Sequence, residues 1–199
     1  WSADPDTTSW SGGTYNDGDD VQFLGSGAGT VTLSGNISFG SILVDSSSDY
    51  ELSGVRLIGT GSLVKSGTGE LYINGAHTFS GGATINAGTV HISGASSLGG
   101  GALTMNGGFL DTGTKGSFDN LNVDGLSGTG GVIQAQRRTF TVDQATDTTY
   151  AGIIQDRDGI VFSGNGTVFT KDGIGTLTLS GDNTYSKTTN VNGGTLEVS

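Results

Sequence analysis

The chain has 199 residues, of which 38 are Gly, one is Pro and none is Cys, and its formal net charge is -11. The absence of Cys excludes disulfides and a thiolate nucleophile, and the negative charge argues against nucleic acid as a partner, because a polyanion would be repelled. The only adjacent basic pair is Arg137–Arg138, and no apolar run reaches the roughly 18 residues that a membrane-spanning helix needs.

Short alternations of apolar and polar residues run along the whole chain and predict β-strands. They are bounded by Gly, Asn, Asp or Ser, and none is followed by the apolar stripe of an amphipathic helix. In chain order the clearest are Val31–Leu33, Tyr50–Leu52, Leu71–Ile73, Val90–Ile92, Leu103–Met105, Leu121–Val123 and Leu177–Leu179. The sequence therefore predicts an all-β protein.

Two segments repeat, within units at about 63–93 and 169–199. Residues 65–93 align with residues 171–199 over 29 positions without a gap, and 11 positions are identical, including Lys65/Lys171. Each unit has only one or two apolar residues per strand on one side, so it cannot bury that side alone. Stacking similar coils in parallel would build a continuous core, which predicts a parallel β-helix, or solenoid, over residues 1–199.

An antiparallel β-sandwich is the alternative architecture, because Asn-Gly pairs favour hairpin turns. Such pairs occur at Asn74-Gly75, Asn106-Gly107, Asn165-Gly166 and Asn192-Gly193. The two architectures predict opposite strand pairings.

The repeat also predicts which side chains point into the solenoid. In the first copy they are Leu71, Ile73, Ile85, Val90 and Ile92. In the second copy they are Leu177, Leu179, Val191, Leu196 and Val198.

The second copy resembles the autotransporter-associated β-strand repeat of type V secreted proteins. The resemblance rests on the pattern Lys-x-Gly-x-Gly-x-Leu-x-Leu-x-Gly-x-x-Thr-Tyr-Ser and on Val-Asn-x-Gly-Thr-Leu-x-Val-Ser, both within 171–199. The copy at 65–93 is similar, as is the opening stretch that contains Trp10 and Gly18–Val21. The segment 111–147 is the least similar part.

The resemblance implies a right-handed parallel β-helix on a bacterial surface, secreted through and associated with the outer membrane. We expect the chain to be part of a longer protein, because Ser199 directly follows the predicted strand Leu196–Val198 in what looks like the middle of a solenoid. Whether a translocator barrel or another anchor follows Ser199 is left open by the sequence.

Few residues suggest chemistry. The alignment places His77 opposite Asn183 and His91 opposite Glu197, which suggests that both histidines point outward. Acidic turns at 16–20, with Asp17, Asp19 and Asp20, and at 156–158, with Asp156 and Asp158 around Arg157, could hold a cation or be plain solvated turns. Parallel β-helices also include polysaccharide-acting enzymes, but on one strand only Asp156 and Asp158 could share a face.

The sequence thus predicts a structural or adhesive surface module, with no catalytic residue, no cofactor and no metal ligand. The expected partner is a glycan or protein on a host or neighbouring cell, bound along an extended outer face. Self-association through the ends of the β-helix is a further possibility, because uncapped ends expose strand edges. The alternatives are a polysaccharide-acting enzyme and a filament-forming subunit.

Overall fold

A computed structural model of the chain describes residues 16–25, 27, 29–33, 35–54, 56–75, 77–93, 98–113, 120–135, 138–156 and 166–199. These residues contain β-strands and no α-helix, and therefore no helix that could cross a membrane. Trp10, Arg137, Arg157, Asp158 and Asn165 lie outside the described residues.

The strands stack into parallel ladders. One six-stranded sheet contains, in order, β1 (Val21–Gly25), β4 (Ser41–Ser46), β7 (Ser62–Ser66), β9 (Ala83–Ile85), β11 (Leu103–Met105) and β14 (Leu126–Ser127). A seven-stranded sheet contains β2 (Gly29–Leu33), β5 (Tyr50–Gly54), β8 (Glu70–Asn74), β10 (Thr89–Ser93), β12 (Phe109–Asp111), β15 (Val132–Gln134) and β18 (Ile153–Gln155).

Three smaller sheets complete the structure. They are a pair of β3 (Ile37–Ser38) and β6 (Leu57–Ile58), a four-stranded sheet of β13 (Leu121–Val123), β16 (Thr139–Asp143), β19 (Val168–Asp172) and β21 (Thr189–Val191), and a three-stranded sheet of β17 (Thr148–Tyr150), β20 (Thr176–Leu179) and β22 (Thr195–Val198). A bridge between Gly128 and Tyr150 joins the three-stranded sheet to the six-stranded one.

Every strand pairing among the described residues is parallel. The predicted parallel β-solenoid is therefore confirmed, and the sandwich alternative is wrong. Asn106-Gly107 and Asn192-Gly193 lie at corners between strands of one coil, where the chain turns to another face of the solenoid instead of folding back as a hairpin. The right-handed sense of the coil stays a prediction.

The interior is a column of apolar side chains, one or two from each strand. Aromatic rings from different coils touch inside it: Phe23 with Tyr50 at 5.0 Å between ring centroids, Phe39 with Phe79 at 5.5 Å and Phe140 with Phe169 at 5.7 Å. Outward residues alternate with the buried ones, as a pleated strand requires. The solenoid therefore has a filled core and polar outer faces.

Most of the predicted inward residues are buried, including Leu71, Ile73, Ile85, Val90, Ile92, Leu177 and Leu179. Val191 and Val198 keep the inward register, because they pair with Lys171 and Leu179, but they are 49% and 75% exposed. Their orientation is as predicted, and they are exposed because no strand of the described residues stacks beyond β21 and β22 to cover them. Leu196 packs partly against the core.

The shared lysine of the repeat closes a tight corner. Lys65 is fully buried, and its Nζ donates to the carbonyl oxygens of Ser66 at 2.5 Å and Gly67 at 2.9 Å. Gly67 has a φ of +68°, and a Cβ there would overlap the backbone of Ser46 in the coil below. The Lys-x-Gly pattern thus pairs a left-handed corner with a buried cation that satisfies its carbonyls.

The second copy repeats this corner on other faces. Lys171 is also fully buried and donates to the carbonyls of Asp172 at 2.5 Å and Gly173 at 3.1 Å. The first copy lies on the six- and seven-stranded sheets, whereas the second lies on the four- and three-stranded sheets. The repeat therefore specifies a local hydrogen-bonding pattern that does not depend on which face it occupies.

Candidate binding surfaces

The acidic turn at 16–20 braces the first two coils. Asp19 accepts from the backbone N–H of Asn16 at 2.9 Å, and Asp20 accepts from the Ser41 hydroxyl at 2.8 Å, which lies one coil further on. Asp17 is exposed. Within the described ranges, no three His, Asp or Glu side chains are grouped as a metal site would require. The hydrogen bonds of Asp19 and Asp20 therefore hold this turn and the next coil in place.

Asp156 joins two later segments of the chain. Its carboxylate accepts from the backbone N–H groups of Thr167, at 2.7 Å, and Ser186, at 2.8 Å. The sequence pairs it with Asp158, which lies outside the described residues together with Arg157. Both oxygens of Asp156 are thus used to position backbone.

His77 is buried, so the prediction that it points outward is wrong. Its Nδ1 accepts from the backbone N–H of Leu57 at 2.9 Å. The aligned residue Asn183 has the same role as a hydrogen-bond acceptor, because its Oδ1 accepts from the backbone N–H of Ile154 at 2.8 Å. The alignment exchanged His for Asn because both supply an acceptor to a backbone amide of an earlier coil, and not because the position faces solvent.

His91 does lie on the outer side of its strand, although it is largely covered there. Its ring stacks on Tyr72 at 4.4 Å between centroids. Nε2 lies 3.2 Å from a carboxylate oxygen of Glu70, and Nδ1 lies 3.4 Å from one of Asp111. We call Glu70, Tyr72, His91 and Asp111 the histidine ladder, which spans β8, β10 and β12 on the outside of the seven-stranded sheet.

The two carboxylates favour a charged imidazole. A neutral ring carries a proton on one nitrogen only, so the other would face a carboxylate oxygen with a lone pair. The carboxylate of Asp111, aided by that of Glu70, raises the pKa of His91 against the opposing effect of burial. The hydrogen bond from Tyr72 to the Glu70 carboxylate, 2.5 Å long, raises the pKa of Tyr72 to about 12. The ladder is therefore a closed network, acidic overall, that fixes this outer face.

A half-open groove of about 530 Å³ lies on the outside of another face. One of its sides carries three aspartates: Asp143 pairs in register with Asp172, and Asp124 follows Val123, which pairs with Val142. Thr78, Ser80, Asn122 and Thr141 also line the groove, and its surface includes Gly99 and Gly100. The groove is thus concave, and most of its lining side chains are polar or acidic, although apolar atoms contribute the larger part of its surface.

Sequence reasoning missed this groove, although a signal was present. Each aspartate follows a short apolar alternation, in Leu-Asn-Val-Asp (121–124), Phe-Thr-Val-Asp (140–143) and Phe-Thr-Lys-Asp (169–172). A column of outward aspartates could have been read from that recurrence. The concavity could not, because it depends on glycines from a different coil lying beside the column.

The chain matches a family model and a curated relative. The family is described as Passenger-associated-transport-repeat, and its model matches residues 63–92 and 169–198. The relative, the adhesin BmaC autotransporter of Brucella suis biovar 1 (strain 1330), is 34% identical over 160 residues. That alignment covers 78% of this chain and 4% of the relative, so the chain spans only a small part of its length. No solved structure matches the chain.

Proposed function

This chain carries autotransporter passenger repeats and is a secreted, cell-surface β-solenoid, and from that premise we propose that its outer faces mediate adhesion. The matched repeats coincide with the units identified from the sequence at 63–93 and 169–199. The predicted resemblance and the predicted location are therefore confirmed, while the adhesive role is our proposal.

The observation that carries the proposal is the filled core. Leu71, Ile85, Leu110, Ile133 and Phe169 are each fully buried at successive levels of the solenoid. A solenoid packed in this way leaves no interior space for a ligand, so recognition has to use the outside. The outer positions carry hydroxyls, amides and carboxylates, which suit many weak contacts along a face.

The proposed role is not enzymatic. Asp156 is the strongest catalytic candidate among the residues that the structure describes. Both of its carboxylate oxygens accept hydrogen bonds from backbone N–H groups. His91 is held between Glu70 and Asp111, an arrangement that fixes its proton and does not favour release to a substrate. The name of the relative, an adhesin, supports the same reading.

Self-association through the ends of the solenoid stays a prediction. Val191 and Val198 expose apolar side chains on the outermost coil, and Ile174 is 87% exposed at a nearby corner. Stacking of a further coil or of another copy on this end would cover Val191 and Val198 and pair the free edges of β21 and β22. The proposal of adhesion does not depend on it.

The adhesive role is tested by displaying the chain on a bacterium that does not attach to host cells. We expect attachment to host or neighbouring cells to rise several-fold over the same bacterium displaying an unrelated β-solenoid at an equal surface level. Soluble chain added in excess should compete for attachment. Equal attachment by the two displaying strains would contradict the proposal.

A further inference from the structure

Two of the groove aspartates have carboxylates that the protein itself does not use. Within the described part of the chain, no hydrogen bond or ion pair engages the carboxylate of Asp124 or of Asp143. Asp172 has one partner, the Asn192 amide, at 2.9 Å. By contrast, Asp20, Asp111 and Asp156 all accept hydrogen bonds from the protein. The groove therefore presents acceptors for an external donor.

The remaining walls offer groups that both donate and accept. The hydroxyls of Thr78, Ser80 and Thr141 and the amide of Asn122 line the groove. Neither Lys nor Arg occurs among the described lining residues. A ligand that fits here needs several hydroxyls to donate to carboxylates and accept from side chains, and it gains nothing from a negative charge of its own.

The inner wall of the groove includes a buried histidine. His77 lines the same groove and is fully buried, and its Nδ1 accepts from the Leu57 N–H. The proton of the neutral ring therefore sits on Nε2, which has no hydrogen-bond partner in the described structure. Burial, reinforced by the charge of Arg56, lowers the pKa of His77 to about 4, so the ring is neutral at physiological pH. Because Nε2 has no accessible surface and lies beside Gly75, which is not among the described lining residues, a ligand in the groove does not reach it, and the ring supports the wall itself.

We propose that the groove binds a neutral oligosaccharide, with Asp124 and Asp143 as acceptors for sugar hydroxyls. Its volume of about 530 Å³ lies within the usual range for small-ligand sites. The inference deepens the proposed adhesive function, because it names the class of ligand on the opposing cell. Binding itself does not require that function, since it is a property of the isolated groove.

The test uses the purified chain and an array of neutral, sialylated and sulfated oligosaccharides, followed by calorimetry with the best neutral one. We expect neutral oligosaccharides to bind best, and the double variant Asp124→Ala/Asp143→Ala to weaken that binding by about tenfold or more, since two charged hydrogen-bond acceptors are lost. Asp182→Ala is the matched control, because Asp182 is exposed and outside the groove, and it should bind as the unchanged chain does. Circular dichroism and the melting temperature establish that all variants are folded.

Three results would overturn the inference. The first is that no neutral oligosaccharide binds or that acidic ones bind best. The second is that binding disappears in EDTA and returns with Ca²⁺, which would assign the carboxylates to a cation. The third is that the double variant binds as well as Asp182→Ala. Attachment of the displayed chain to cells together with any of these results would leave the adhesive role standing, whereas binding by the groove without cell attachment would reject that role and keep this inference.

Discussion

At the scale of single residues, several polar side chains of this protein hold neighbouring side chains or backbone groups in place through hydrogen bonds and charge. His91 is the clearest case, because it sits between Glu70 and Asp111 with its ring against Tyr72. At the corner of Lys65, the charges of Asp45 and Asp49 oppose the lowering of the Lys65 pKa that burial causes. The charges of His91 and Lys65 are thus each stabilised by nearby carboxylates.

The raised pKa of His91 makes the stability of the fold depend on pH in a definite direction. The folded state holds the proton more tightly than the unfolded chain, whose histidine pKa is about 6.5. The stabilisation is therefore complete below about pH 6.5 and is lost as pH rises through the higher pKa of the folded state.

Replacing His91 with Gln should remove the pH-dependent part of the free energy of unfolding. We expect the difference in unfolding free energy between the two proteins to be about 1 kcal/mol at pH 5.5 and to shrink towards pH 9. Urea unfolding at several pH values measures it, and an NMR titration should give His91 a pKa above, and His77 a pKa below, the ordinary value. A difference that stays constant with pH would show that folding leaves the pKa of His91 unchanged, and a difference that grows with pH would show that folding lowers it.

At the scale of elements, the repeat unit is defined by its corners more than by its strands. Lys65 and Lys171 occupy equivalent corners on different faces and make equivalent bonds to turn carbonyls. His77 and Asn183 likewise satisfy equivalent backbone amides. These hydrogen bonds explain why the two copies share residues that never touch one another.

The corner lysine should contribute measurably to stability. Lys65→Met keeps the length and the apolar stem but leaves two turn carbonyls without their donor, so we expect the free energy of unfolding to fall by about 2 kcal/mol. Lys171→Met should behave similarly. The exposed Lys187 provides the matched control, and Lys187→Met should change stability by less than about 0.5 kcal/mol. Denaturant unfolding measures all three, and an unaltered midpoint for Lys65→Met would refute the role of the corner cation.

Much of the element-level structure could be predicted from the sequence, because strand periodicity and the repeat are local signals. Leu71, Ile73, Leu177 and Leu179 lie inward as the alternation predicts. The exposure of single residues could not be predicted where it depends on another coil. His77 is buried by packing over Leu57, and Val198 is exposed because no described strand covers it, and neither fact is visible in the local pattern.

At the scale of the whole molecule, parallel stacking separates the residues that stabilise the core from those that face solvent. The core is continuous and apolar, and the outer faces carry an excess of carboxylates consistent with the net charge of -11. A surface of this charge repels nucleic acid and acidic polysaccharides and is compatible with neutral partners. The groove beside Asp124 and Asp143 was not anticipated from the sequence, since three strands from separate coils build it.

The central claim, that function lies on the outside of a solenoid whose interior serves only the fold, is tested most directly by attachment of displayed variants. Outward residues on each face are changed to Ala one coil at a time, and cell attachment and melting temperature are measured for every variant at equal display. We predict that attachment falls for variants of the binding face while the melting temperature stays close to that of the unchanged chain. Attachment that survives replacement on every outer face, or that falls only when the melting temperature falls, would contradict the account.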